Sequence, residues 1–353
     1  MHPFLFIIYL GFAFAFLSIF TKVNKFNLFI ILLLLIIGAD GLRWEMGVDW
    51  ENYKRMFETN NMPGIEFGFK FYVLFLSSLT DKYSVFIFIT SVIIYLGNLG
   101  ALYYSTRSLL AVSFVLSVLP WYAGSMRQFI AMSFVSLAIH FLLKKKRLKF
   151  ITITLFASSF HITAFLMILL MFLYGLHPFF TLMIFVASFP TVIIFFRYLG
   201  AMGALLEIVF ASEKDFAARL ATSEAMNPLF GTLRKVYTFS LPIILMVTNK
   251  KLRSNTTMVF LVSVSLFTFM MYFIGVNYMQ ILASRMDYYF SVLTFSFFIG
   301  FLDTQLKNKF NKCVLLVFVF SLFLVAHSRR TELDLFYPYS SIFYNTDLGR
   351  ELY

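Results

Sequence analysis

Several short blocks of this sequence carry residue types that suit anion binding and proton transfer. The densest is Gly41-Leu42-Arg43-Trp44-Glu45-Met46-Gly47-Val48-Asp49-Trp50-Glu51-Asn52-Tyr53. Arg43 suits a phosphate, because a planar guanidinium makes two parallel charge-assisted hydrogen bonds. Glu45 and Asp49 are close enough in sequence to share a site with it, and either carboxylate can act as a base if it reaches the proton. Trp44, Trp50 and Tyr53 combine an apolar body with a polar edge, which fits a membrane interface. Glycines 41 and 47 allow tight turns. The plainer alternative is an interfacial loop with solvated charges.

The second block is Pro120-Trp121-Tyr122-Ala123-Gly124-Ser125-Met126-Arg127-Gln128. Arg127 opens an apolar stretch, where an ionised group is costly and usually faces a bundle interior or a wet cavity. A helix N-terminus there adds amide donors for an anion; a snorkelling anchor is the alternative. The third block is Ser284-Arg285-Met286-Asp287-Tyr288-Tyr289-Phe290, where Arg285 either binds phosphate or pairs with Asp287. His161, in Ser158-Ser159-Phe160-His161-Ile162-Thr163, either bonds across helices or titrates near neutral pH beside a cavity. Arg329 and Arg330 suit lipid headgroups or a phosphate.

The elements that must position these residues are membrane helices. Of 353 residues, 60% are hydrophobic and 13% charged, with 49 phenylalanines. A soluble domain carries roughly twice that charged share. About 20 apolar residues cross the hydrocarbon. Candidate spans are Pro3–Phe20, Phe26–Ala39, Tyr83–Tyr104, Leu109–Tyr122, Gln128–Leu143, Phe150–Tyr174, Pro178–Phe189, Thr191–Phe210, Lys235–Thr248, Thr257–Ile274, Met286–Leu302 and Cys313–His327. The expectation is an all-α polytopic bundle of 11 or 12 spans in one membrane domain, 1–353. Outer-face loops at 40–82, 211–234 and 328–353 have room for re-entrant or interfacial helices. Pro190 divides Pro178–Phe189 from Thr191–Phe210, a pair for which one helix plus a re-entrant segment is the alternative, and the 213–234 loop reads as a lid or an ordinary connector.

Five basic clusters fix the expected orientation: Lys22/Lys25, Arg107, Lys144–Lys149, Lys250–Arg253 and Lys307–Lys312. All fall on one face of this map, which the positive-inside rule makes cytoplasmic. Of the 17 acidic residues, only Asp303 shares that face. The net charge of +12 therefore reads as topology and not as a nucleic-acid surface. The N-terminal stretch, with no basic n-region and no small-residue cleavage site, reads as a retained first helix. The single Cys313 excludes an internal disulfide and a multi-thiolate metal site. No P-loop or other nucleotide or zinc motif occurs, so no cofactor and no metal is expected.

In order and spacing, these blocks resemble the EpsG family of exopolysaccharide proteins, close to the Wzy-type O-antigen and capsule polymerases. Arg43, Gly47, Asp49, Trp50 and Tyr53 match the family's first block. Arg127-Gln128, Phe160-His161, Arg285 with Tyr289-Phe290, and Pro338-Tyr339 match the later ones. The resemblance implies glycosyl transfer at the outer leaflet of a bacterial plasma membrane. A glycan on undecaprenyl diphosphate would pass to a repeat unit on the same lipid.

Arg43, Arg127 and Arg285 would then bind the diphosphate, with Asp49 as first choice of base and Glu45 and His161 behind it. Trp44, Trp50, Tyr53, Trp121, Gln128, Tyr289 and Arg329 would line the sugar or the lipid. A chain-length regulator is compatible as a partner.

Three other readings compete. A glycosyltransferase using a polyprenyl monophosphate sugar would need the same arginines. An acyltransferase would need a histidine in a polar setting, His161 or His140. A flippase for lipid-linked oligosaccharide would spread its charges along helix interiors, whereas here they gather on one face.

Overall fold

The computed structural model describes residues 2–47, 49–119, 125–177, 247–278, 288–327 and 339–343, with isolated positions 180, 183, 187, 240 and 244. The chain forms two compact units. The first comprises residues 1–62, 66–165 and 299–353; the second comprises 63–65 and 166–298.

Among the described residues all regular structure is helical. Apolar runs with clear caps become α1 (Pro3–Phe20) and α2 (Lys25–Gly41), the latter opened by the Asn24 carboxamide. Helices α3 (Trp50–Thr59) and α4 (Phe67–Leu79) follow. Then come α5 (Tyr83–Tyr95), a π-turn (Leu96–Gly100) and α6 (Ala101–Thr106), continuous as one 24-residue helix. Next are α7 (Leu109–Val118), α8 (Met126–Leu143), α9 (Arg147–Ser158) and α10 (Leu169–Leu173), the last preceded by a 3-10 stretch, Ile162–Ile168. The set ends with α11 (Thr256–Tyr278), α12 (Thr294–Gln305) and α13 (Lys309–His327). Pro3–Phe20, Tyr83–Thr106 and Met126–Leu143 are long and apolar enough to cross a membrane. Their exposed faces carry phenylalanines and leucines, such as Phe16, Phe20 and Phe88. This is an all-α membrane protein.

In the first unit, α1 packs on α2, α7 and α13, and α8 packs on α5 and α9. Close approaches need small residues. A Cβ on Gly41 would lie 2.8 Å from the Phe88 ring, and one on Gly97 3.2 Å from the Ser133 Cα. At the π-turn, buried Asn98 donates to the Ile94 carbonyl and accepts from the Ser136 hydroxyl of α8.

Four of the five basic clusters share one end of this unit. Lys309 Nζ sits 5.7 Å from the Phe20 ring, near Lys22. Arg107 stacks on Tyr103, and Phe26, next to Lys25, touches the same ring. Ser105 bonds His140 just before Lys144. Asp303, the acid expected on this face, accepts from Ser108 at 2.7 Å and lies 3.9 Å from Lys312 Nζ. It neutralises a lysine and anchors the α7 cap.

Helices fill most of the 40–82 segment, where the sequence left room for them: α3 buries Trp50, Tyr53 and Phe57 along one face, and α4 lies beside it. One expectation needs correction. The span Phe150–Tyr174 is not one helix but breaks after Ser158. Ser158 and Ser159 turn their hydroxyls back to the carbonyls of Leu155 and Phe156, and the Ser159 carbonyl accepts from the Gly68 amide at 2.8 Å. Serines that bond back to the backbone in this way weaken a helix. The spans around Pro190, most of Lys235–Thr248, the 211–234 loop and most of the tail lie outside the described residues.

In the second unit, α10 packs on α11, with Tyr174 against the Phe260 ring at 5.0 Å. The Ser263 hydroxyl of α11 donates to the Leu176 carbonyl.

Candidate functional site

Opposite the basic end, the first unit gathers two arginine centres. The first begins where α2 runs out. Asp40 and Arg43, one turn apart, form a buried ion pair through Oδ1 and Nη1, each side chain 3% exposed. Arg43 Nη1 also donates to the Asp40 carbonyl at 3.3 Å. The other carboxylate oxygen, Oδ2, accepts from Ser91 Oγ of α5 at 2.6 Å. Burying charge this deeply is costly unless it is paired and hydrogen-bonded, as it is here.

The turn that carries Arg43 is held from above by the far end of the chain. Trp44 N–H donates to the Ser340 carbonyl, and Ile342 N–H to the Leu42 carbonyl, around an antiparallel bridge between Arg43 and Ser341. Tyr339 Oη donates to the Ala39 carbonyl at 2.7 Å, and its ring packs edge-on to His2 and Phe4. Beyond the turn, Glu45 has φ 48°, an uncommon conformation for a residue with a side chain, and Gly47 has φ 104°. Trp44 and Trp50 meet edge to face at 5.2 Å, and Trp50 meets Tyr83 at 5.1 Å. Trp50 is buried in this ring cluster, whereas Trp44 is half-buried with Lys54 Nζ above it.

The second centre lies at the start of α8. Arg127 Nη1 donates to Glu66 Oε2 at 2.6 Å, with both side chains 18% exposed. The guanidinium and Asp49 both lie within electrostatic reach of the Tyr53 hydroxyl. Burial holds the Tyr53 phenol above its ordinary pKa; Arg127 opposes the shift and Asp49 adds to it. Asp49 itself is half-buried at the N-cap of α3.

Gly68, two residues past Glu66, is bonded to the break that precedes His161. His161 is buried, with Nδ1 2.6 Å from the Thr163 hydroxyl. It therefore sits beside an interrupted helix, not within a continuous one. Trp50 links the two centres: its ring meets Trp44, next to Arg43, and Tyr53 follows it by three residues on the same helix.

The structure thus brings Tyr53 together with Arg127 and Asp49, and Trp44 with Trp50. Gln128 is buried on α8, and Tyr289 is buried in the second unit. Arg285, Trp121 and Arg329 lie outside the described residues. Sequence reasoning missed three partners: Asp40, Ser91 and Glu66. The one-turn spacing of Asp40 and Arg43 was a usable signal. Nothing local ties Glu66 to Arg127. Among the described residues, no three His, Cys, Asp or Glu side chains group to hold a metal.

In chemical terms, one half-buried arginine beside a tyrosine and carboxylates can bind an anion and place a base near it. Comparison with known proteins agrees with a single assignment along most of the chain: the sequence model of the EpsG family matches residues 26–341. No curated protein and no solved structure matches.

Proposed function

Because the chain belongs to the EpsG family, and is thereby a polysaccharide polymerase-type membrane protein, we propose that it is a glycosyltransferase that lengthens lipid-linked glycans. The donor is a glycan on undecaprenyl diphosphate. The acceptor is one repeat unit on the same lipid. The reaction takes place at the outer leaflet of a bacterial plasma membrane, on the side away from the basic clusters.

The chemistry needs two things from the protein. The leaving group is a diphosphate, and the negative charge that develops on it must meet preorganised donors. Arg127 is the first choice for this role, with Arg43 and Arg285 as the further candidates. The attacking sugar hydroxyl has a high pKa, so a base that reaches its proton speeds the transfer. By sequence Asp49 leads, ahead of Glu45 and His161. Trp44 and Tyr53, with Trp50, Trp121, Gln128, Tyr289 and Arg329, are assigned to the sugar and lipid.

The observation that carries this reading is the grouping of Arg127 with Tyr53 and Glu66 at the end of the first unit away from the basic clusters. The family match adds independent support. A carrier that alternated between faces would place its charges deep between helices. Here both arginines sit where helices end or begin.

The test is direct. Purified full-length protein in detergent is given a lipid-diphosphate-linked repeat unit, with no nucleotide and no metal, and the products are run on a gel. A ladder of lengths is expected. Unaltered substrate, with the lipid still bound, would favour a flippase or a missing partner protein.

A further inference from the structure

Resting on the reading that Arg127 receives the diphosphate, we propose that Glu66 is the general base of the transfer, held inactive by Arg127 until the donor displaces it. Glu66 stands at the N-cap of α4 yet makes no side-chain bond to that helix. Its carboxylate turns instead to Arg127, 2.6 Å away. The backbone around it is fixed: the Glu66 carbonyl accepts from Lys70, and the Gly68 amide is held by Ser159. Only the side chain is left to move, and it is partly open to solvent.

The Tyr53 hydroxyl also lies within reach of Arg127 and offers the guanidinium an acceptor when the carboxylate leaves. A diphosphate carries more charge than a single carboxylate and competes well for a guanidinium. Once displaced, Glu66 has lost its cation and lies half-buried beside new negative charge. Its carboxylate oxygens are then open to accept a hydrogen bond from a hydroxyl. The nearest proton to be taken is that of the acceptor hydroxyl.

The step then balances. The acceptor O–H bond breaks and its proton passes to a Glu66 carboxylate oxygen. The acceptor oxygen bonds to the anomeric carbon of the donor sugar. The bond from that carbon to the diphosphate oxygen breaks, and the electron pair leaves with the diphosphate beside Arg127. Glu66 later returns the proton to water and pairs with Arg127 again. The base is exposed only when a donor is bound, so an empty site does not activate water. This transfers the base role from Asp49 to Glu66 and leaves Asp49 to position Tyr53.

The experiment uses full-length protein in nanodiscs, with undecaprenyl diphosphate as the binding probe and a lipid-diphosphate-linked repeat unit as substrate. Glu66→Gln should retain the probe several-fold more tightly than wild type and polymerise about 100-fold more slowly or worse, the scale of general-base catalysis. Glu66→Asp should regain part of the rate. Polymerisation by Glu66→Gln near the wild-type rate would overturn the proposal. So would joint loss of probe and polymer, since that marks a residue that only holds the fold. If Arg127→Gln retains the probe as well as wild type does, the underlying reading of the anion site fails first.

Discussion

Gly68 donates its amide to the Ser159 carbonyl at 2.8 Å, which joins the first turn of α4 to the break in α9. A Cβ on Gly68 would stand 2.8 and 2.9 Å from the backbone oxygen and carbon of Ser159. Backbone on both sides cannot step aside cheaply. Gly68→Ala should therefore destabilise the protein by about 1–3 kcal/mol, as overpacking does, and lower its melting temperature in detergent. A melting curve that matches wild type would show that this contact is not needed.

The ion pair of Asp40 and Arg43 predicts an asymmetry. Asp40→Asn leaves a buried guanidinium without its counter-charge, a loss of about 3–5 kcal/mol. Replacing both residues with apolar ones, as in Asp40→Leu with Arg43→Met, should restore much of that stability. Unfolding in detergent measures both. A double variant no more stable than the single one would assign the loss to something other than the unpaired charge.

Activity should separate the arginines from the fold. Alanine at Arg127 or Arg285 should leave the chain folded and inserted, whereas alanine at Arg43 also strips buried Asp40 of its counter-charge and should lower stability as well; each should reduce polymer formation by about 100- to 1,000-fold, the scale of removing one donor to a developing anion. At Arg127 even lysine should do poorly, since a point charge does not reproduce the planar fork. Full-length polymer from all three alanine variants would defeat the assignment.

Tyr53 gives a pH dependence whose sign is fixed. Its folded-state pKa is raised from 10.0, chiefly by burial. Folding therefore favours the neutral phenol, and this contribution is fully present below pH 10 and lost as pH rises through the folded value. Tyr53→Phe should remove that one alkaline sensitivity, so the variant loses less stability than wild type above pH 10. Parallel melting series across pH 8–12 in detergent test it; identical slopes would argue against it.

Tyr339 is a milder case. Its hydroxyl donates to the Ala39 carbonyl at the end of α2. Tyr339→Phe keeps the ring contacts with His2 and Phe4 and drops the bond, for about 0.5–1.5 kcal/mol. Alanine, which loses the ring as well, should be worse. Equal melting temperatures for the two variants would show that the ring contributes nothing and that any effect lies in the hydroxyl bond.

Much of this fold can be read from residues in a row. Helix α1 spans its apolar run to the residue, and Asn24 and Ser108 mark the starts of α2 and α7 through ordinary side-chain caps. The lysine clusters mark one end of the first unit because loop charge and topology share a cause. Two features were less legible. The spacing of Trp50, Tyr53 and Phe57 signals an amphipathic helix, but the charges between them read as loop. The break at Ser159 depends on Gly68, 91 residues earlier, so no local pattern announces it. The site divides the same way. Arg43 and Arg127 stand out because charge is rare in apolar sequence, but Glu66 is visible only once α4 is placed beside α8.

The pairing of residues 339–343 with the Arg43 turn also sets an order in time. Tyr339 is 300 residues downstream of Ala39. At roughly 5–20 residues per second of synthesis, about 15 to 60 s pass between the emergence of the two. Until then the turn has no strand beside it. A nascent chain thus carries an unfinished site through the whole of its insertion, and a ribosome that stalls late releases a protein with its helices in place and its arginine turn unclasped.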